Sequence, residues 1–449
     1  MGSLIGLALF RMLTLSAEEK YVYLGVCDSS ECYEIKVCKK GKPLIIKQNE
    51  KKRRTSSRKN LVRNCIVMLA VLAAGILLGG CSVVERVSYE WSNPGVEKWE
   101  TAAIEAGVVS SVEEYYYQHF PENLQEAYRE LYVKLMRGET SGSFLSSVNV
   151  EEFWRVYYGV LADHPEIFWL GPNAQVEQSV LTGTVVNYEF ETTVPQESRE
   201  SMRQQIEAAA DECINLIWSE ASDYQKIKFV YEYIIDTTGY DSQGPDTQNI
   251  QSALLYHSSV CAGYSKAFQY ILNRMGMFCT YITGTIKDGG DHGWNMVRID
   301  GNYYYVDVTW GDPVFMNQVE GDTGSRTNYN YLCCTEMDLF KTHTPDDSVE
   351  LPECTSDAYN YYKLNGYYYE WFDYNTIYNA LMNSVWNGES SIVMKFGSRE
   401  AFDSAVYELF QGNLLNDAGQ YLMSVNGVST WNYRYHTDEN FYLVTIYWT

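Results

Sequence analysis

Residues 259–272 read Ser-Val-Cys-Ala-Gly-Tyr-Ser-Lys-Ala-Phe-Gln-Tyr-Ile-Leu, and this stretch decides how the chain is interpreted. After Cys261, apolar residues recur at the spacing of one helix face, and Arg274 and Gly276 end the pattern. Cys261 therefore falls in the first turn of a predicted helix, where free backbone N–H groups and the helix dipole favour a thiolate. Taken alone, the segment fits a nucleophilic cysteine and a buried small apolar residue equally well.

Two further segments form a predicted β-hairpin. The first begins at His292 and reads His-Gly-Trp-Asn-Met-Val-Arg-Ile, and the second, residues 303–310, reads Tyr-Tyr-Tyr-Val-Asp-Val-Thr-Trp and contains Asp307. With Asp300 and Gly301 as a two-residue loop, His292 and Asp307 are diagonal neighbours on one face of the sheet. A four-residue loop would put them directly opposite. In either register the carboxylate can hold one imidazole nitrogen while the other faces outward.

These three side chains together are what thiol catalysis requires. The imidazole takes the thiol proton and later gives a proton to the leaving amine, while the carboxylate fixes the tautomer and stabilises the imidazolium. A lone histidine in a strand is more often an ordinary packed residue. A cysteine at a helix start with a geometrically paired histidine and aspartate is much harder to obtain by chance.

Val-Cys-Ala-Gly-Tyr, His-Gly-Trp-Asn and Tyr-Val-Asp-Val-Thr-Trp occur in this order between residues 260 and 310. They resemble the three core motifs of the transglutaminase-like superfamily, particularly its bacterial surface-protein branch, and the close resemblance covers residues 223–313. It implies an α+β, papain-like core in which the Cys-bearing helix packs on an antiparallel sheet. By that resemblance Cys261 is the nucleophile, His292 the base and Asp307 the orienting acid. Gly293 departs from the family, which often has alanine there, and is expected to loosen the start of the strand.

Three more residues are candidates for the site. Gln248 precedes Cys261 by 13 residues and resembles a glutamine in related sequences that could donate to an oxyanion, although a glutamine in a loop is usually just solvated. Trp294 and Trp310 are candidates for lining the cleft, with packing as the competing role. We expect no cofactor and no metal, because the six histidines are scattered and no pair has the spacing of metal ligands.

The charge distribution excludes some partners. The chain of 449 residues has a net charge of −24, but residues 1–64 hold 14 basic and 6 acidic side chains, a balance of +8, so the remainder carries −32. The strong negative charge of this part of the chain repels polyanions, so no nucleic-acid partner is expected.

A targeting signal is predicted inside the chain. A basic stretch from Lys51 is followed by residues 65–78 without a charge and then by Leu-Gly-Gly-Cys, which ends at Cys81. This order is typical of a signal peptide, and the closing motif resembles the lipobox of bacterial lipoproteins. Cys81 is then the lipidation site, and the protein is exported and anchored to the outer face of the bacterial cell membrane. The alternative is an uncleaved signal anchor.

Five segments follow from these patterns. Residues 1–64 are a basic N-terminal extension, which a start codon assigned too far upstream would explain, and residues 65–81 are the signal peptide with its lipobox. Residues 82–200 are a tether and a mostly helical region, residues 201–345 the transglutaminase-like core and residues 355–449 a small C-terminal α/β domain. Asn365-Gly366 predicts a hairpin in the last of these. Besides Cys81 and Cys261 the mature chain has five cysteines, an odd number, so no complete disulfide framework exists, although one or two bridges among the last four stay possible.

The predicted function is thiol-dependent acyl transfer or hydrolysis at an amide bond of a surface protein or peptide, through a thioester on Cys261. Transglutaminase-like transfer and cysteine-peptidase action both remain open, because the same three side chains serve both. The alternative from another class is a non-catalytic binding or scaffolding module at the cell surface. The oligomeric state cannot be read from the sequence.

Overall fold

The computed structural model of the chain describes residues 21–27, 32–38, 45–46, 101–104, 113–287, 289–312, 327–426 and 430–448. The predicted signal peptide and Cys81 lie outside these residues. Within the described part of the chain, no helix has the length and apolar character needed to span a membrane. The chain divides into two compact units: the described parts of Met1–Val108 with Glu122–Phe153 and Ala174–Phe190, and Val109–Pro121 with Trp154–Asn173 and Glu191–Thr449.

The N-terminal elements include three short strands that pair in an antiparallel sheet, β1 (Tyr21–Cys27), β2 (Cys32–Cys38) and β3 (Ile45–Ile46). Helices and a second three-stranded sheet, in the order β4-β6-β5, follow. These elements are, in chain order, α1 (Tyr115–His119), α2 (Glu122–Met136), β4 (Ser141–Ser143), α3 (Val150–Asp163), β5 (Leu170–Gln178) and β6 (Val185–Thr192). The region predicted as mostly helical contains the helices α1, α2 and α3 together with this sheet.

The core contains one long central helix and a four-stranded antiparallel sheet in the order β11-β10-β9-β12. Its helices are α4 (Gln196–Asn215), α5 (Asp223–Thr237), α6 (Ile250–Leu254), α7 (Cys261–Arg274), α8 (Val308–Gly311) and α9 (Glu336–Leu339), with a 3₁₀ turn at Tyr329–Tyr331. Its strands are β7 (Gly239–Tyr240), β8 (Ser258–Ser259), β9 (Cys279–Ile286), β10 (Asp291–Ile299), β11 (Asn302–Val306) and β12 (His343–Pro345). The predicted α+β core is confirmed.

Helix α7 is the centre of this core. The predicted apolar face is buried, and the neighbouring Ser265 and Gln269 are buried as well, so the helix is covered on almost every side. Two hydrogen bonds fix it to the sheet: the Ser265 hydroxyl donates to the Gly293 carbonyl at 2.9 Å, and the Asn295 amide donates to the Ser265 carbonyl at 3.0 Å. These bonds hold the helix that starts at Cys261 against the strand that carries His292.

The hairpin between β10 and β11 has the two-residue loop. Asn295 pairs with Val306 and Ile299 with Asn302, which leaves Asp300 and Gly301 as the turn. Both turn residues have positive φ, 49° and 80°, as a type I′ turn requires. Of the two registers considered from the sequence, this is the one that makes His292 and Asp307 diagonal neighbours.

The C-terminal part is an α/β layer with its own apolar core. Its sheet has the order β13-β14-β16-β15, in which β13 is parallel to β14 and the other pairs are antiparallel. The elements are α10 (Tyr361–Leu364), β13 (Tyr368–Tyr369), α11 (Tyr374–Trp386), β14 (Ser391–Phe396), α12 (Arg399–Phe410), α13 (Leu414–Asn426), β15 (Tyr433–Asp438) and β16 (Leu443–Trp448).

One local prediction in this region is wrong. Asn365-Gly366 ends the short helix α10 and does not form a hairpin turn: Gly366 has a φ of 74°, and the Tyr367 N–H donates to the Tyr362 carbonyl at 2.8 Å. The same positive φ that suits a type I′ turn also suits the residue after a helix, so the dipeptide does not distinguish the two. Helix α13 was also not foreseen.

The six cysteines of residues 113–448 are free thiols. Cys261 is half-buried, and the other five, Cys213, Cys279, Cys333, Cys334 and Cys354, are buried as free thiols. The bridges that the sequence left possible are therefore not formed within this part of the chain.

Candidate active site

Cys261 is the first residue of α7, as predicted. It follows Val260, whose extended backbone forms the N-cap. The start of a long buried helix presents N–H groups and a positive dipole end, and Cys261 is the one half-buried thiol among the six cysteines of residues 113–448. A reactive cysteine needs this combination of an electropositive surrounding and partial access.

Asp307 stands at the end of β11 and caps α8. Its Oδ1 accepts hydrogen bonds from the backbone N–H groups of Thr309 at 3.0 Å and Trp310 at 3.1 Å. Its Oδ2 accepts from the Nε2 atoms of His292 at 2.8 Å and His343 at 3.0 Å. Burial alone would raise the pKa of this fully buried carboxyl, but the two imidazoles outweigh it and hold the pKa well below its usual range. Asp307 is therefore a fixed negative charge.

His292 lies between the carboxylate and the thiol. Because Nε2 donates to Asp307, Nδ1 is the nitrogen available to Cys261. Burial lowers the pKa of His292, but the charge and hydrogen bond of Asp307, followed by those of Cys261, raise it to about 10. The ring is thus held as an imidazolium at neutral pH. The predicted juxtaposition of the three side chains is present.

His343 is a member of the site that sequence reasoning missed. It starts β12, is fully buried, and shares the Oδ2 atom of Asp307 with His292. Its other nitrogen, Nδ1, lies 2.8 Å from the Thr342 hydroxyl. The two imidazole rings are 5.2 Å apart. No sequence motif indicates this residue. It lies 36 positions after Asp307 in the chain, and only the pairing of β12 with β9 brings the two side chains together.

Lys266 is a second residue without a role in the sequence-based interpretation. It is half-buried, its ammonium donates to the Gln248 carbonyl at 3.1 Å, and it lies over the Tyr281 ring at 5.6 Å. Burial lowers the pKa of Lys266 to about 8, while the charge of Cys261 acts in the opposite direction. A positive charge therefore lies near the sulfur on the side of α7.

The other predicted site residues have different surroundings. Gln248 lies on an exposed turn before α6, and the hydrogen bond that involves it uses its backbone carbonyl, so its role as an oxyanion donor stays a prediction. Trp294 is fully buried, with its ring 5.1 Å from that of His343, and packs inside the core. Trp310 is half-buried, with its ring 6.0 Å from His292 and 4.7 Å from His343. The cleft-lining role of Trp310 stays a prediction.

Gly293 was expected to loosen the start of its strand, but the structure encloses it tightly and leaves no free space there. A Cβ atom at this position would meet the Tyr281 hydroxyl oxygen at 2.1 Å. The Tyr281 ring thus occupies the space that an alanine methyl group would need. The packing of Tyr281 therefore favours glycine at the position next to His292.

One group of side chains in the described part of the chain could hold a metal ion. The ligand atoms of His292, Asp307 and His343 lie within 4.8 Å of one another. Two imidazoles and a carboxylate are a donor set that Zn²⁺ accepts. In the present geometry both Nε2 atoms donate to Oδ2, so a metal ion could enter only by displacing both protons.

A half-buried thiol lies at a helix start, and a buried, hydrogen-bonded imidazole–carboxylate pair lies on the facing sheet, which is the arrangement that the sequence predicted. Residues 214–308 match the family model described as the Transglutaminase-like superfamily, which places this segment of the chain in that superfamily. The match contains Cys261, His292 and Asp307.

Known relatives are distant. The chain is similar to Kyphoscoliosis peptidase of Mus musculus, 24% identical over 160 residues that are 32% of this chain and 24% of that protein. It is similar to Kyphoscoliosis peptidase of Homo sapiens at 26% identity over 155 residues, 30% of this chain and 23% of that protein. The matched part is thus about a quarter of the length of these relatives. A crystal structure of a TGase is 12% identical, with a TM-score of 0.23, over 43% of this chain and 49% of that chain.

Proposed function

We propose that the protein is a thiol enzyme that transfers or hydrolyses an acyl group at an amide bond through a thioester on Cys261. The observation that carries the proposal is the Asp307–His292 pair, with a 2.8 Å hydrogen bond between its two side chains, interacting with the only half-buried thiol of residues 113–448. The name peptidase of the curated relatives supports an amide bond as the target.

The first half-reaction forms the thioester. The Cys261 thiolate attacks the carbonyl carbon of the amide, and a carbon–sulfur bond forms. Backbone N–H groups at the start of α7 can stabilise the oxyanion. The carbon–nitrogen bond then breaks, and the His292 imidazolium gives its Nδ1 proton to the departing amine.

The second half-reaction releases the acyl group. Neutral His292 accepts a proton at Nδ1 from water or from an incoming amine, which attacks the thioester and expels the thiolate. Throughout, the Nε2–H bond to Asp307 keeps the ring in one orientation. Water gives hydrolysis, and an amine gives a new amide bond, so the acceptor decides between peptidase and transferase.

The proposed place of action is the cell surface. The basic stretch, the apolar run and the Leu-Gly-Gly-Cys motif support export and lipid attachment at Cys81, with a surface protein or peptide as substrate and no nucleic acid as partner. Incorporation of labelled palmitate that disappears in Cys81→Ser would support the anchor. Labelling that survives this substitution would contradict it.

The enzymatic proposal is tested by mass spectrometry of a casein-type protein incubated with a labelled primary amine and the full chain. Wild type is compared with Cys261→Ala and with Cys213→Ala, a matched control that removes a buried thiol from α4. Incorporation that depends on Cys261 alone would establish acyl transfer. Cleavage or deamidation without incorporation would establish a thiol hydrolase.

Equal product patterns for all three proteins would contradict the enzymatic proposal for this substrate class. Iodoacetamide labelling then separates the remaining cases. If Cys261 reacts no faster in the folded protein than in denatured protein, the non-catalytic binding module becomes the better interpretation. If it reacts faster, the thiol is activated and a narrower substrate must be sought.

A further inference from the structure

The side chain of Lys266 places a positive charge beside Cys261 that the proposed mechanism does not use. Lys266 is half-buried on α7, and its ammonium donates to the Gln248 carbonyl at 3.1 Å. An ammonium has three N–H donors, and this is the one hydrogen bond that it forms within the described part of the chain. Two donors are therefore left for water or for a ligand.

Lys266 also differs from other lysines of the core in its charge partners. Lys226, Lys228 and Lys341 each pair with a carboxylate three or four residues away, at 2.7–3.0 Å. Lys266 pairs with no carboxylate among the residues that the structure describes. Burial lowers the pKa of Lys266 to about 8, so the group is still mostly an ammonium at pH 7. The positive charge is thus present and is not neutralised by a neighbour.

A second hydrogen-bond donor lies next to this ammonium. The centre of the Tyr281 ring is 5.6 Å from the Lys266 nitrogen. The Tyr281 hydroxyl forms no hydrogen bond within the described residues, and its oxygen is not closed off from solvent. Burial has the largest effect on the pKa of both groups, lowering that of Lys266 and raising that of Tyr281, and the charge of Cys261 comes next for each. Both groups therefore lie within electrostatic range of the sulfur.

The carboxylate of Asp346 does not occupy this place. Its charge acts on Tyr281 but is not among the charges that act on Lys266. The carboxylate is held instead by the hydroxyl of Thr283 and by the backbone N–H of Ser348, the latter at 2.9 Å. The ammonium and the hydroxyl beside Cys261 thus remain available to a ligand.

We propose that Lys266 and Tyr281 form a subsite for a carboxylate of the substrate, next to the acyl group that Cys261 attacks. The ammonium supplies the charge and two N–H donors, and the phenol supplies an O–H donor, while a carboxylate accepts several hydrogen bonds. The inference rests on the proposed function, because it names the substrate chemistry of the same site. An acidic side chain and the C-terminal carboxylate of a peptide share this chemistry.

The local charge matters because the rest of the molecule is acidic. Outside residues 1–64 the chain carries a net charge of −32, which repels an anionic substrate at long range. A positive group beside the nucleophile offsets this repulsion at the point of reaction. The preference for a carboxylate should therefore depend strongly on this one lysine.

The test compares two alkylating reagents on the full chain at pH 7 and equal ionic strength. Iodoacetate and iodoacetamide both form a carbon–sulfur bond with Cys261 and release iodide, but only iodoacetate carries a carboxylate. Peptide mapping by mass spectrometry gives the rate at Cys261 for each reagent. The ratio of the iodoacetate rate to the iodoacetamide rate measures the preference for an anion and cancels changes in the reactivity of the thiolate itself.

Lys266→Gln should lower this ratio by about three- to tenfold, the effect of losing one charge within a few ångströms of the bound group. Lys266→Arg should keep most of it, and Tyr281→Phe should lower it by a smaller factor. The matched control Lys226→Gln removes the same charge from α5 and should leave the ratio unchanged. In each variant the buried thiols should stay unmodified, which reports that the protein is folded.

Two results would overturn the inference. An unchanged ratio in Lys266→Gln would show that the lysine does not contact the anion. An equal slowing of both reagents would mean that Lys266 acts only on the thiolate or on the loop of Gln248. Failure of the proposed function is seen differently, when iodoacetamide labels Cys261 of wild type no faster in the folded than in the denatured protein. The ratio is measurable in that case as well.

Protection of Cys261 against iodoacetamide identifies the source of the carboxylate. The probes are N-acetyl-glutamate α-amide, which has an acidic side chain, and N-acetyl-diglycine, which has a C-terminal carboxylate. N-acetyl-glutamine amide is the neutral control. We expect one anionic probe to protect wild type better than the control does, and to lose this advantage in Lys266→Gln. Equal protection by all three probes, or by none of them, would contradict a carboxylate subsite.

Discussion

At the scale of single residues, the carboxylate of Asp307 organises the site. Each of its oxygens accepts two hydrogen bonds, two from backbone N–H groups and two from imidazoles. A buried charge is tolerated only when it is paired and hydrogen-bonded in this way. The result is an anion that orients His292 towards Cys261 and remains charged across the accessible pH range.

The first prediction concerns Asp307→Asn. Because the charge and hydrogen bond of Asp307 are the leading causes that raise the pKa of His292, the variant should lower that pKa well below about 10. NMR titration of the His292 ring in wild type and variant measures the change. A pKa of His292 that stays near 10 in the variant would show that Cys261, and not Asp307, holds the proton on the ring.

The second prediction concerns His343, which acts through Asp307 as a positioning residue. His343→Leu removes one donor to Oδ2, whereas the amide of His343→Gln can still donate to it. A lost hydrogen bond to a buried charge costs about 1.5–3 kcal/mol, so alkylation of Cys261 by iodoacetamide at neutral pH should slow by roughly ten- to a hundredfold in the Leu variant. The Gln variant should keep most of the rate. Equal rates in both variants would mean that His343 only fills space.

At the scale of secondary-structure elements, the close approach of β9 and β10 sets the position of His292. Gly293 on β10 faces Tyr281 on β9, and the two strands pair directly, with Gly293 opposite Thr283. The ring of Tyr281 covers the backbone next to His292. This contact explains why a glycine follows His292 in a strand that nevertheless has no free space at this position.

The third prediction follows from this contact. Gly293→Ala should destabilise the protein by about 1–3 kcal/mol, because the new methyl group meets a buried ring that must move. Combining it with Tyr281→Ala should add little to the cost of Tyr281→Ala alone, since the space is then open. Denaturant unfolding measures the free energies. The matched control is Gly290→Ala, whose Cβ atom would meet only the Ile286 side chain at 3.6 Å. Additive costs in the double variant would contradict the proposed clash.

At the scale of the whole molecule, the fold buries most of the cysteines that lie in residues 113–448. Five of the six thiols of residues 113–448 are buried, and burial raises the pKa of each of these five. Thiols of this kind are inert. Burial thus distinguishes Cys261 from the other five cysteines of residues 113–448.

The fourth prediction is selective labelling. In the native chain iodoacetamide should modify Cys261 far faster than Cys213, Cys279, Cys333, Cys334 or Cys354, and in denaturant the six should react at similar rates. Peptide mapping by mass spectrometry assigns each site. Rapid native labelling of any of the five buried thiols would contradict the described packing.

The fifth prediction concerns alkaline pH. The pKa of His292 is raised to about 10 in the folded protein from an ordinary value of about 6.5, so the folded state binds the extra proton between these values. The resulting stabilisation is complete below about pH 6.5 and is lost as the pH rises through about 10. Unfolding free energies measured from pH 6 to 10 should fall less steeply in His292→Asn than in wild type. Parallel curves would show that His292 is not protonated in the folded protein.

Much of the site could be predicted from the sequence. Helical periodicity after Cys261 predicted the start of α7. The Asp300-Gly301 pair predicted a two-residue turn, and this turn corresponds to the observed one of the two hairpin registers considered. Both are local signals, carried by residues close together in the chain. Asn365-Gly366 shows the limit of such signals, because positive φ suits a helix end as well as a hairpin and only the surrounding packing decides.

The sequence by itself therefore determined the order and spacing of Cys261, His292 and Asp307, and with them the helix and hairpin of a transglutaminase-like core. Only the tertiary structure decided that His343 shares the Asp307 carboxylate, that Tyr281 encloses Gly293, and that Lys266 lies beside Tyr281. The physical reason is the distance along the chain. Periodicity and turn chemistry report contacts between near neighbours, whereas these contacts join segments that meet only when separate strands and helices pack.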